Sequence, residues 1–474
     1  MTSLKSRLAG AALPAILVTC LALAAGAAEA PEQPVGLDRQ TGMAVTIYNE
    51  NLALVKDRRR VDLAQGRNRL AFIDVSGQIK TETALFSGAD LAVIEQNFDF
   101  DLLTPGKLLE KGVGERVRII RTNPETGVET VEEGTILSTV DGLVVQIGDR
   151  IEIAPPGRIV FASVPPQLRA RPTLVLEVDA AATGTADLDL SYLTGGLGWR
   201  ADYVAELSPD ESVLALGGWV TLTNTSGTTY RDAALQLVAG EVNLVQPPID
   251  LRMREDMVVA APASRPMREE ALFEYHLYSL DRPTTIADNQ TKQVALLSAD
   301  RVKVGKEYRF VRAVGENDLR SIEPERINAT VRLAFDNSEA GGLGQPLPKG
   351  IVRVYKADSS DRVVFVGEDE IDHTPKGETV RLDLGQAFDI TATTRQTDFE
   401  RLSDTSWEAA YEMVVRNAKP LAITVSVIEQ LPGEWRILQE SQAHERRDAH
   451  TAAWSVAVPA AGEAKLAYRV RVTY

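Results

Sequence analysis

Leu466-Ala467-Tyr468-Arg469-Val470-Arg471-Val472-Thr473-Tyr474 closes the chain as a strict two-residue alternation. Leu466, Tyr468, Val470, Val472 and Tyr474 interleave with Ala467, Arg469, Arg471 and Thr473. Successive side chains on a strand point to opposite faces, so the apolar groups share one face and the arginines the other. That pattern predicts a strand with one wet side, and it makes the last ten or so residues part of the fold rather than a tail. The same spacing recurs upstream in Trp407, Ala409, Tyr411, Met413 and Val415, and in Trp454, Val456 and Val458. It also follows the Asn417-Ala418-Lys419-Pro420 turn as Leu421, Ile423, Val425 and Val427. Residues 301–474 are therefore expected to form a C-terminal immunoglobulin-like β-sandwich.

Working back from there, Leu188, Leu190 and Tyr192 lead into a Thr194-Gly195-Gly196-Leu197-Gly198 turn. Trp199, Ala201, Tyr203, Ala205 and Leu207 then line one face, with Arg200, Asp202 and Glu206 on the other. Leu214 to Thr223 is a further strand, which turns at Thr225-Ser226-Gly227 and returns through Leu235 and Leu237. A second Gly-Gly-Leu-Gly run occupies Gly341 to Gly344. Neither run has the G-x-G-x-x-G spacing of a nucleotide loop, so both read as tight connections.

Nearer the N-terminus, Val45 and Ile47, Val61 and Leu63, and Leu70 and Phe72 make a meander, with Gln65-Gly66 as one turn. Between 107 and 164 the apolar pairs are short and close: Val117 and Ile119, Val144 and Ile147, Ile151 and Ile153, Ile159 and Phe161. That spacing predicts a small SH3-like barrel, with tight turns at Asp141-Gly142 and Gly148-Asp149-Arg150. Leu102 to Lys111 is the one short stretch that suits a helix. Residues 246–270 hold Pro247, Pro248, Pro262 and Pro266 without any period, and read as a flexible segment. The expected organisation is all-β and multidomain. It comprises a leader at 1–30, a meander domain at 31–106, the barrel at 107–164, a β-sandwich at 165–300 and the C-terminal sandwich at 301–474.

The leader carries Lys5 and Arg7, an apolar run from Ala9 to Ala25, and a small-x-small site at Ala28-Glu29-Ala30. This is the pattern of a secretory signal peptide, and it implies a periplasmic or secreted protein. The one cysteine, Cys20, lies inside the leader, so the mature chain holds no thiol nucleophile, zinc-thiolate site or iron–sulfur cluster. Lipidation of Cys20 after Leu17-Val18-Thr19 is disfavoured by Thr19 before the cut and by the apolar run continuing to Ala25. No comparable apolar run follows, so no transmembrane segment is expected in the mature chain. A formal net charge of −16 repels phosphate backbones, and no basic and aromatic patch offsets it; nucleic acid is not an expected partner.

Several clusters invite chemistry. His444, Glu445, Asp448 and His450 offer metal-ligand types, and positions 444, 448 and 450 would share a strand face, but Arg446 and Arg447 make a charged hairpin the plainer reading. Glu368-Asp369-Glu370 with Asp372 and His373 lacks the glycine and final glutamate of a calcium loop. Asp99 and Asp101 are the best-spaced carboxylate pair for glycoside hydrolysis, yet adjacent same-face carboxylates are a generic feature. No Gly-x-Ser-x-Gly elbow is present. Trp199, Trp407 and Trp454 sit in alternating apolar runs and are expected in the core, while Trp219 and Trp435 adjoin turns. No catalytic residue, cofactor site or metal site is assigned.

Two blocks carry a family resemblance: Tyr192-Leu-Thr-Gly-Gly-Leu-Gly-Trp199-Arg-Ala-Asp-Tyr203, and Gly218-Trp219-Val-Thr-Leu-Thr-Asn224-Thr-Ser-Gly227-Thr-Thr-Tyr230 ahead of Leu235-Gln-Leu-Val-Ala-Gly240. With Ile47 to Val55 and the closing strands, they resemble the bacterial domain-of-unknown-function 4139 family, related to mucoidy inhibitor A-like proteins. The resemblance implies a β-rich envelope protein linked to exopolysaccharide control, and it transfers no site residue. Longer members insert a coiled coil in the N-terminal half, which this chain lacks, so any role of that coiled coil does not carry over. The expected function is a non-enzymatic periplasmic binding or scaffold protein whose sandwich edges and acidic loops contact an envelope protein or polysaccharide. The alternative is an envelope glycan hydrolase using surface carboxylates. Carboxylates and aromatics converging in one cleft would favour the hydrolase, and exposed edge strands without such a cleft the binder.

Overall fold

A computed structural model describes residues 31–49, 51–99, 101–165, 168–240, 242–243, 267–272, 274–315 and 325–474. The expected leader at 1–30 and the proline-rich stretch from 246 to 266 lie outside the described residues. The rest is all-β in several sheets, with one α-helix among the described residues, Pro105–Lys111. Thr104 caps it, its hydroxyl accepting from the Lys107 N–H at 3.2 Å.

Among the described residues, three sheets supply most of the first core. The hub sheet orders Arg268–Leu272, Tyr275–Ser279, Tyr230–Ala239, Gln40–Tyr48, Leu52–Leu63, Gly184–Thr194 and Leu85–Ser87. A smaller sheet joins Glu32–Val35, Gly66–Ile73, Thr173–Ala180 and Leu91–Asp99. The middle sheet runs Gln290–Lys303, Val213–Asn224, Leu197–Leu207, Gly350–Ala357, Val363–Ile371. Val55, Tyr192, Phe72, Leu176, Tyr203, Val220 and Val352 from these sheets meet in one cluster. Residues 31–106 and 165–300, separate units in the sequence reading, thus hydrogen-bond into the same sheets. Strands 350–357 and 363–371 join the middle sheet rather than the C-terminal one.

The 107–164 stretch is inserted between Leu91–Asp99 and Thr173–Ala180, which pair with each other. Its five strands form an antiparallel sheet in the order Arg150–Ile153, Val144–Ile147, Glu129–Ser138, Arg116–Thr122, Arg158–Phe161. The turns at Asp141-Gly142 and Gly148-Asp149 match the expectation, and Ile119, Val145 and Ile147 form a small core of their own. The two outer strands do not bond to each other, so the expected barrel is an open sheet.

Among the described residues the C-terminal sheet has nine strands, with Gly462–Thr473 held between Glu434–Glu440 and Ser406–Asn417. It folds over itself, so that Trp454 stacks on Tyr468 with ring centroids 4.7 Å apart. Phe310, Trp407, Tyr411, Val425 and Val470 complete this second core. One strand, Thr379–Ser403, serves both cores over 25 residues: Val380 and Leu382 pack in the first, Ile390 and Ala392 in the second. Its neighbour Glu325–Asp336 does the same, with Leu333 and Phe335 in the first core and Ala329 in the second.

The expected flexible segment needs a correction at its end. Arg268–Leu272 is a strand paired with Tyr275–Ser279, and Met267 is buried, its N–H bonded to the Leu296 carbonyl. Its pairing depends on Tyr275–Ser279 rather than on any period of its own, so local sequence does not reveal it.

Candidate functional site

The two blocks that carry the family resemblance meet at one end of the first core. Gly195 and Gly196 carry the chain from the hub sheet to the middle sheet in two residues. Gly196 has φ +77°, and a Cβ there would lie 2.5 Å from the Ser226 Cα, so only glycine fits. Around this turn lies a chain of buried polar groups. Ser76 Oγ and Thr194 Oγ1 are 2.6 Å apart, Ser226 Oγ donates to Asn224 Oδ1 at 2.7 Å, and Tyr230 donates to Ser226 Oγ at 3.0 Å. Asn224 Nδ2 donates to the carbonyls of Thr228 and Ile286, and Tyr192 accepts from the Ser76 N–H. Burial pushes the Tyr230 hydroxyl up to about 12, and the Tyr192 hydroxyl well above its ordinary value, so both remain protonated. No acid, base or metal ligand takes part in these contacts; the network satisfies buried polar groups at a sheet-to-sheet crossing.

The sequence candidates end up dispersed. Asp99 closes its strand and is held by Arg169 at 2.8 Å, and the same guanidinium forks onto Glu32. Asp101 lies beyond that strand, with Lys111 at 2.8 Å and Lys107 at 3.4 Å. The Lys111 ammonium is the chief cause of the lowered pKa of Asp101. The two carboxylates therefore serve different cations and do not share the strand face expected of them. In the acidic run, Glu368 pairs with Arg353, Asp369 accepts from the Asp383 N–H, and Glu370 faces Lys349. His373 contacts Asn49 Nδ2 and accepts from the Lys349 N–H. Among the described residues no three His, Cys, Asp or Glu side chains converge on a metal-sized site.

The stretch from His444 to His450 is an exposed charged hairpin, with Glu445–Arg446 paired to Ala452 and Ala453. Only Glu445–Arg446 is strand, so positions 444, 448 and 450 do not share a strand face. His444 is turned inward between Trp435 and Trp454, at 5.7 and 5.8 Å between centroids, and shares Glu440 Oε2 with the Trp454 N–H. The His450 N–H is used on Asp448. Trp199, Trp407, Trp435 and Trp454 are buried, and Trp219 is half-buried. Deeper in the same sheet, Arg312 links the buried Glu429 to Thr394.

Two surface features bear on contact with a partner. A shallow cleft of about 410 Å³ opens on the outer face of the hub sheet, lined by Met43, Lys56, Arg58, Ser87, Asp189 and Ser191. Its charges are mostly spent internally, since Arg58 forks onto Asp189 at 2.6 and 3.0 Å. The second feature is the outermost strand of the middle sheet. Val363, Val364, Phe365 and Val366 are 62%, 47%, 51% and 40% exposed, and among the described residues no strand pairs with their outer side. Phe365 packs edge-on to Tyr355 of the neighbouring strand. Sequence reasoning did not single out this run, since four consecutive apolar residues carry no alternation that marks a face.

A family model described as Domain of unknown function (DUF4139) matches residues 188–474, from the hub sheet through the C-terminal sheet. No curated protein matches the chain.

Proposed function

The chain belongs to the family described as Domain of unknown function (DUF4139), and since that description carries no activity we propose from the geometry that it is a non-enzymatic contact protein. In this reading it is exported to the periplasm and binds an envelope protein or polysaccharide, with a relation to mucoidy inhibitor A-like proteins and a part in envelope homeostasis. The observation that carries it is the open apolar edge at Val363–Val366. A strand edge offers a row of backbone donors and acceptors, and proteins normally blunt such edges with charge, proline or a covering element. No charge or proline lies within the four residues, and a β-bulge at Val366 ends the regular edge. Export is supported by Lys5, Arg7, the apolar run to Ala25 and Ala28-Glu29-Ala30. No helix among the described residues is long and apolar enough to cross a membrane.

The hydrolase alternative gains nothing comparable. Glycoside hydrolysis needs one protonated and one free carboxylate facing the same bond, and Asp99 and Asp101 are each committed to basic groups. Complementation of a deletion strain separates the two readings. Phe365→Lys should fail to complement while staying folded, and the Asp99→Asn/Asp101→Asn protein should complement. The reverse pattern, with glycan cleavage by the purified protein, would replace the contact reading by the hydrolase.

A further inference from the structure

We propose that Arg309, on the outer face of the C-terminal sheet, is a docking point for a carboxylate on an acidic segment of a partner protein. This rests on the contact reading above and names the partner's chemistry. Arg309 lies on the strand Gly305–Ala313, where Tyr308 and Phe310 face the second core and alternation turns Arg309 outward. Its side chain is nevertheless only 14% exposed, and its one carboxylate within reach among the described residues, Asp383, is 3.9 Å away. Asp383 is already spent, since both of its oxygens accept from Arg332. Among the described residues the Arg309 guanidinium makes no hydrogen bond. A guanidinium carries five donors in a planar fork, and covering it without acceptors is costly. Burial lowers the Arg309 pKa, the Arg332 charge adds to the shift, and Asp383 and Glu307 do not make up the difference.

The surroundings suit an incoming carboxylate. Thr330 and Ser426 pair with Arg309 on the two flanking strands, and Ser455 follows on the strand beyond, so three hydroxyls share its row and face. None of these hydroxyls is engaged among the described residues. A carboxylate accepts from a guanidinium fork and from hydroxyls alike, and the charge-assisted bonds are the stronger ones. Glu307, two residues away on the same face, is exposed and forms no ion pair among the described residues, so water screens it. With so little of the guanidinium open, the carboxylate must arrive on a slender stem, as in aspartate or glutamate; a uronate carries it directly on a ring. The recess also lies next to the open edge. Asp369, on the strand that begins at Val363, accepts from the Asp383 N–H, and Arg332 and Arg309 face the Asp383 carboxylate. An extended peptide takes up backbone donors and acceptors at a strand edge, so a protein segment can engage both features where a uronate chain engages only the charge.

Fluorescence anisotropy with labelled hexaglutamate at low salt, on the protein purified from cells, tests this. The chain as a whole carries −16, which opposes non-specific attraction of an acidic probe, so binding reports a local site. The expected result is binding that Arg309→Gln weakens by about tenfold, the worth of one charge-assisted fork, without changing the circular dichroism. Arg118→Gln, at an exposed arginine of the inserted sheet, should leave it unchanged. Ser426→Glu sets a carboxylate beside Arg309 within the same chain, and should abolish binding while raising the melting temperature. Hexaglutamate that fails to bind, or binds Arg309→Gln as well as the wild type, would overturn the inference. So would a Ser426→Glu protein that still binds or melts below the wild type. Hexagalacturonate that binds through Arg309 more tightly than hexaglutamate would replace the protein partner by an acidic polysaccharide. Arg309-dependent binding together with a Phe365→Lys protein that complements would keep the carboxylate site and sink the contact reading at the edge. Binding indifferent to Arg309 with a Phe365→Lys protein that fails to complement would do the reverse.

Discussion

Arg59 grips Asp57 on its own strand, two residues away, donating from Nε and one Nη to the same carboxylate oxygen at 3.0 and 2.7 Å, with 0% and 2% of the two side chains exposed. The other Nη donates to the carbonyls of Val35 and Ile73, Gln40 Nε2 donates to the remaining Asp57 oxygen, and the guanidinium lies 5.2 Å from the Phe72 ring centroid. One buried ion pair thus ties the hub sheet to the smaller sheet behind it. Asp57→Ala strands a guanidinium in the core and should cost about 3–5 kcal/mol in chemical denaturation. Asp57→Ala/Arg59→Met removes both charges and should cost clearly less than the single change. Equal losses would mean that the pair is not the tie.

Asn224 is the keystone of the sheet-to-sheet crossing. Asn224→Ala leaves the Thr228 and Ile286 carbonyls and the Ser226 hydroxyl without their partner. The expected loss is about 3 kcal/mol, the cost of several unsatisfied buried polar groups. Gly196→Ala should be comparably harmful through its +77° φ and its approach to Ser226. Thermal melts of both variants, compared with the tolerant Gly184→Ala, check this; Gly184 has open space around its Cα.

Acid should destabilise the protein. Arg169 holds Glu32 below its ordinary value, and Arg332 does the same for Asp383. Burial pushes Asp202 up, but the Thr221 hydroxyl and Arg353 outweigh it and the net shift is downward. The Ser208 and Ser212 hydroxyls bring Asp210 down to about 2. A carboxyl whose folded pKa is depressed stabilises above its unfolded value, about 3.9 for Asp and 4.3 for Glu, and that contribution disappears as pH falls through the folded value. The melting temperature should therefore be nearly level from pH 7 to about 5, and fall below about pH 4.5. A midpoint that rises on acidification would contradict the assignment of these pairs.

Removing Leu466 to Tyr474 should unfold the C-terminal sheet. The deletion takes Leu466, Tyr468, Val470 and Val472, all 4% exposed or less, from between two strands. At about 1.5–3 kcal/mol for each buried apolar side chain, the loss is comparable with the whole stability of an ordinary domain. Red-shifted tryptophan fluorescence from Trp407 and Trp454, with rapid proteolysis beyond residue 325, is the expected signature.

Parity made most of the strands legible. The closing strand alternates as its residues demand, and Asp57 and Arg59 keep the inward parity of Val55, Val61 and Leu63. A reading that trusted position over residue type would have placed both charges inside. Partners were not legible, because a strand carries its face in its own spacing and its neighbour only in the assembled sheet. Leu91–Asp99 meets Thr173–Ala180 across an inserted sheet, and 350–371 crosses to strands more than a hundred residues earlier. In the His444 to His450 hairpin, the hold of Glu440 and two tryptophans on His444 comes from residues whose approach no local spacing encodes. The candidate edge was hidden for the same reason as the partners: nothing in Val363 to Val366 says which side of the sheet ends there.

Thr379–Ser403 has a mechanical meaning. A tether attached to the C-terminal sheet would load the first core through a single unbroken backbone, with its hydrogen-bonded neighbour Glu325–Asp336 sharing the strain in shear. The two halves cannot swivel as beads on a string. Whatever one end holds, the other end feels.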